Sequence, residues 1–133
     1  MIPPFDDLGY LPAGVHPATL EEIEVRVGRT SEIRRAQMDS VRWMVAVALR
    51  AGAARIVLNG SFVTDIIEPN DVDCVLLFLP HVRRDRTAMR ELKKGLPFLE
   101  IKRANPQDFA EFVNIVFASD RSGTAKGIIE VTT

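Results

Sequence analysis

The sequence predicts an α/β (α+β) domain, a small mixed β-sheet with helices on one face. Three observations carry this. Short β-branched runs alternate with segments of helical period along the chain. The run that opens at Val72 is apolar at nearly every position to Leu79, as in a strand buried on both faces. A length of 133 residues suits a single domain, 1–133, large enough to fold without a disulfide or structural metal.

The elements follow in order. Residues 1–18 hold Pro3, Pro4, Pro12 and Pro17 and read as an extended arm over the surface. Thr19 with Glu22 three residues on forms a capping box, so a short helix runs from Leu20 to Gly28. Thr30 or Ser31 caps the longest helix, Glu32 to Arg50, whose Met38, Val41, Val45 and Ala48 share a stripe and which Gly52 closes. "ARIVLN", ending at Asn59, is a strand that breaks at Gly60. A turn covers Ser61 to Asp65, and Val72 to Leu79 is the central strand, stopped by Pro80. Val82 to Lys94 is a basic helix ended by Gly95. Pro97 to Arg103 alternates as a third strand, Pro106 opens a last helix, and "GIIEV" is a short terminal strand.

Composition excludes several classes. No apolar run approaches the roughly 20 residues of a membrane-spanning helix. The N-terminus lacks the basic and apolar regions of a signal peptide, and one cysteine, Cys74, forms no internal disulfide, which together point to the cytoplasm. A net charge of −1 means that any affinity for phosphates must come from local clustering.

Chemistry concentrates in "LNGSFVTDIIEPNDVDCVLLF", residues 58–78. Period-two geometry puts Asp71 and Asp73 on one face with Cα atoms about 6.5–7 Å apart, while Val72 and Cys74 turn to the core. Two like charges this close repel unless a cation sits between them. Such a pair suits Mg²⁺, which prefers oxygen ligands and keeps open positions for phosphates. Gly60 allows backbone to approach a polyphosphate, and Ser61 adds a hydroxyl beside it. Either feature alone also serves a plain turn or a polar strand entrance.

Gly60-Ser61, nine intervening residues, then Asp71-Val72-Asp73 with apolar flanks resembles the signature of the nucleotidyltransferase superfamily related to DNA polymerase β. "YLPAGVHPATLEEI", "LNGSFVTDIIEPNDVD" and "DRSGTAKGIIEV" together resemble a group of small bacterial nucleotidyltransferase-like proteins. The resemblance implies a minimal fold of that superfamily. It implies that Asp71 and Asp73 coordinate Mg²⁺ while Gly60 and Ser61 hold the phosphates of a nucleoside triphosphate. An unknown hydroxyl, on RNA, protein or a small molecule, would accept the nucleotidyl group, with an antitoxin or second subunit as partner. The third carboxylate usual in the superfamily falls on Glu100, which alternation places with Phe98 and Lys102 opposite Leu99 and Ile101; the same spacing fits a solvated strand face. Lys126 is a further candidate for the triphosphate. The alternative is a non-catalytic nucleotide-binding or protein-interaction module.

Outside that cluster, Arg83, Arg86, Arg90, Lys93 and Lys94 recur at helical spacing and read as a solvated face or an RNA or acidic-partner contact. Arg34 and Arg35 set positive charge at a helix N-terminus, against the dipole, which calls for pairing with an acidic group or a phosphate, read here as a surface pairing. His16 suits packing or capping, and His81 falls just beyond the central strand. Neither histidine has a spaced partner for zinc.

Overall fold

The computed structural model describes residues 2–133. Strands β1 (Gly14–Ala18), β2 (Arg55–Asn59), β3 (Val72–Leu77), β4 (Leu99–Ala104) and β5 (Gly127–Val131) form one mixed sheet in the order β1-β5-β2-β3-β4. β1 is parallel to β5 and β4 parallel to β3, while β2 runs antiparallel to both its neighbours. The α/β class is as the sequence predicts. The last five residues of the expected arm are instead the edge strand β1. Pro17 is tolerated there because β1 is an edge strand with a neighbour on one side only.

Helix α1 (Leu20–Ile23) begins with the capping box, Thr19 Oγ1 accepting from Glu22 N at 3.2 Å and Thr19 N donating to Glu22 Oε1 at 3.1 Å. It continues as a π-helical turn, Glu24–Gly28. Ser31 caps α2 (Glu32–Ala51), and Gly52 ends it in the left-handed region at φ 101°. Met38, Val41, Val45 and Ala48 of α2 pack on Ile56, Leu58, Val72, Cys74 and Leu76, with α1 and α3 (Arg86–Lys94) on the same side. The opposite face is not bare. Phe109 of α4 (Pro106–Glu111) and Phe112 and Val113 of the following π turn, Phe112–Val116, cover Val57, Val75, Leu77 and Ile128. The expectation of helices on one face therefore holds for α1–α3 and is corrected for α4. The open part of the second face is confined to the other end of β3.

Two boundaries also move for local reasons. Asp85 Oδ1 accepts from the amides of Thr87 and Ala88 at 2.9 and 3.1 Å, so α3 starts at Arg86, not Val82. Phe98 takes φ 75°, outside the β region, so β4 begins at Leu99, two residues after the expected Pro97, and Phe98 leaves the face that carries Glu100. Among the described residues no helix is long and apolar enough to cross a membrane.

Candidate active site at the head of β3

Asp73 stands opposite Asn59 of β2 and beside Glu100 of β4 in the sheet register. Neighbouring strands lie about 4.8 Å apart, so the three side chains form one row across the sheet. Alternation sends the row to the α4 face, where Val57, Val75 and Ala104 continue the same three strands as core. Val72, Cys74, Leu99 and Ile101 turn to the other face. Asp71 lies just before β3, exposed, its backbone against Gly60.

Asp73 and Glu100 are direct cross-strand neighbours, so the Glu100 carboxyl bears on that of Asp73. Asp73 is pushed up to about 6, first by burial, then by its hydrogen bond to Glu100 and the charges of Glu100 and Asp71; Lys126 opposes the rise. Charging this half-buried group costs more than in water because two other acids face it. Asn59 is 3% exposed and its Oδ1 has no hydrogen-bond partner among the described residues. The row thus contains an acid held partly protonated and a buried acceptor left open.

Gly60 follows Asn59 directly, at φ 89°. A Cβ there would lie 3.0 Å from Asp71 O and 3.2 Å from Asp73 Oδ2, so only glycine lets this backbone rest against both aspartates. The Ser61 hydroxyl accepts from Asn70 N at 3.0 Å, closing the loop immediately ahead of Asp71. Its own proton remains free to donate to a ligand. Arg34 fixes the same loop from below. It is 3% exposed and its guanidinium donates to the carbonyls of Val27, Phe62, Thr64 and Ile66. The surface pairing with an acidic group or a phosphate expected for the arginines at the start of α2 is corrected for Arg34, which is buried and satisfied by backbone carbonyls.

Lys126 enters from the loop before β5. It is half-buried, which lowers its pKa, while the charges of Asp73 and Asp120 resist that fall. Asp120 organises the loop by accepting from the amides of Ser122 and Thr124, both at 2.9 Å. Tyr10 Oη donates to the other oxygen of Asp120 at 2.7 Å. The hydroxyl of Tyr10 and the Thr124 amide hold the Asp120 carboxyl below its usual range. The three stretches singled out in the sequence therefore meet: Tyr10 from the first, Gly60 and Asp73 from the second, Asp120 and Lys126 from the third.

The donor set is chemically suited to a hard divalent cation, since Asp73, Glu100 and the open Asn59 Oδ1 are all oxygens. A cation could take the place of the proton that Asp73 retains. Among the described residues no three His, Cys, Asp or Glu side chains are gathered as a ready metal-binding group. Two carboxylates with the remaining positions left to phosphates and water fit Mg²⁺, which accepts few protein ligands. Asp71 belongs to the electrostatic cluster without joining the Asp73–Glu100 pair.

Other sequence candidates fall elsewhere. His81 is exposed beyond the opposite end of β3, so it does not face the carboxylates. His16 Nε2 lies 2.6 Å from Pro12 O, in keeping with packing of the N-terminal segment. Cys74 is buried and burial pushes its thiol up, leaving it without nucleophilic character. Sequence reasoning missed Asn59, Tyr10 and Asp120. Asn59 carried a signal, a polar residue ending a β-branched strand two places after Val57. The Tyr10–Asp120 contact spans 110 residues and left none.

A family model, the family of unknown function DUF6932, matches residues 3–132, and the chain belongs to that family. No curated protein and no solved structure matches it.

Proposed function

We propose, from the site and not from the family, that the protein is a Mg²⁺-dependent nucleotidyltransferase of cytoplasmic setting. The observation that carries the reading is the row Asn59–Asp73–Glu100, with Gly60 backbone against Asp73 and Lys126 facing it. Asp73, with Asp71 or Glu100, would hold Mg²⁺, which supplies charge neutralisation on the phosphates. Gly60 and Ser61 would seat the triphosphate, the glycine by close approach and the serine by its free hydroxyl proton. Lys126 places a cation beside the charge that builds on the departing pyrophosphate. An acceptor hydroxyl attacks the α-phosphorus, the bond to the bridging oxygen breaks, and Glu100 takes the hydroxyl proton. Most of the rate gain would be positioning and electrostatics. The acceptor could sit on RNA, a protein such as an antitoxin or second subunit, or a small molecule.

A second reading, a non-catalytic nucleotide-binding or interaction module, draws support from Asp71 standing outside the Asp73–Glu100 pair. Thermal unfolding with each nucleoside triphosphate, with and without Mg²⁺, tests the site without an acceptor. Ligand at about 100 times its dissociation constant stabilises by about 2.7 kcal/mol, a rise of several degrees for a chain of this size. The expected result is a Mg²⁺-dependent rise that Asp73→Asn abolishes. No rise with any triphosphate would defeat the nucleotidyltransferase reading of the isolated chain. A rise that Glu100→Gln leaves intact, with no pyrophosphate release by wild type on any hydroxyl acceptor, would favour the binding module.

A further inference from the structure

At the other end of β3 the chain collects positive charge that nothing in the fold uses. Between Arg83 and Lys94 stand six basic residues and two acidic ones, in a protein whose net charge is −1. Both acids are spent: Asp85 caps α3, and Glu91 pairs with Arg50 of α2. Arg83 and Arg86 are exposed and make no ion pair or hydrogen bond among the described residues, and Arg84 only lies over the Phe78 ring at 5.2 Å. These side chains surround a concavity of about 730 Å³ whose lining is wholly charged: Arg50, Arg83, Arg84, Asp85 and Arg86. A neighbouring hollow shares Arg84 and adds Arg103 of β4.

We propose that this concavity binds the phosphodiester backbone of a single-stranded nucleic acid. Arg83, Arg84 and Arg86 bring three guanidiniums to one concavity against the single carboxylate of Asp85, and each offers a planar fork matched to phosphate oxygens. A protein partner would need a desolvated apolar or aromatic anchor at the centre of its footprint, and the lining has none. The lack of aromatic residues for base stacking points to recognition of backbone, independent of sequence. Arg103 turns with Leu99 and Ile101 to the face of β4 opposite Glu100 and Lys102, so the positive surface stands apart from the carboxylate row. The binding itself stands apart from the transfer reading and needs neither Mg²⁺ nor a nucleotide.

Fluorescence anisotropy with the full chain tests it, using labelled poly-U RNA of about 12 nucleotides, its DNA counterpart and a polyglutamate peptide. Three phosphate contacts on a single strand predict an affinity loss of about 20-fold between 50 and 200 mM salt. Arg83→Glu with Arg86→Glu should weaken binding at least about 10-fold and reduce that salt effect to about 3-fold, with the thermal midpoint unchanged. Arg83→Ala alone, the milder variant, should lower the logarithmic salt slope by about 0.7. Tighter binding of RNA or of DNA identifies which strand is the ligand, and either supports the proposal. Three results would overturn it: no binding below about 100 µM at 50 mM salt, binding insensitive to the substitutions, or polyglutamate binding as tightly as both oligonucleotides.

Discussion

Asp73 keeps a proton to about pH 6 in the folded chain, against an ordinary value of 3.8. Below about pH 4 the group is protonated in both folded and unfolded states and costs nothing. Between about pH 4 and 6 the unfolded chain ionises first, so folded stability falls as pH rises, and above pH 6 the full penalty is present. Asp73→Asn removes the ionisation and keeps the shape. Discounted for the solvent that reaches this half-buried side chain, the variant should be more stable than wild type by about 1 kcal/mol near pH 7.5, and equal to it near pH 4. Urea unfolding at the two pH values measures the difference. A loss of stability at pH 7.5 would mean that Asp73 is a structural partner in the sheet and not a destabilised functional acid. Alternation along each strand was enough to put Asp73, and separately Glu100, on a face away from the core. That the two faces are one face, and that Asn59 completes the row, depends on register between strands, which no local pattern encodes.

The loop from Gly60 to Asp71 owes its shape to α2. Arg34 offers one guanidinium to four carbonyls, three of them in that loop, and burial lowers its pKa because the charged form has lost its water. Arg34→Ala leaves those carbonyls to find water or stay unpaired and should cost about 3 kcal/mol in urea unfolding. Arg34→Lys should recover less than half of it, because an ammonium has three donors and no fork. Full rescue by lysine would show that charge alone, not the planar network, holds the loop. Most elements were legible from caps and period: Thr19 with Glu22, Ser31, Gly52 and Pro106 each mark an end that the structure retains. The failures have specific causes. β1 reads "GVHPA", with a proline and no alternation, and becomes a strand only because β5, more than a hundred residues later, lies beside it. Val82 fits the helical period of α3, but Asp85 caps the helix one turn further on.

For the molecule as a whole, the terminal strand is interior. β5 lies between β1 and β2, joining the N-terminal segment to the half of the sheet that carries the carboxylates, with Ile128 facing one core and Ile129 the other. This placement makes the short terminal strand the seam of the fold. Ile129 is fully buried, so Ile129→Ala should cost about 2–5 kcal/mol, or roughly 10 °C or more in Tm for this size. Val15, on the edge strand β1 and 36% exposed, should cost under about 1 kcal/mol when changed to alanine. The ratio between the two distinguishes a seam from a trailing edge. Denaturation followed by far-UV circular dichroism and by the fluorescence of Trp43, which packs beside the α2 core, should give coincident transitions in both variants. If Ile129→Ala instead separated the two signals, the α2 layer would be holding together without β5. Lys126, one residue before the strand, would then owe its position beside Asp73 to its own loop and to the Tyr10–Asp120 bond, not to the sheet.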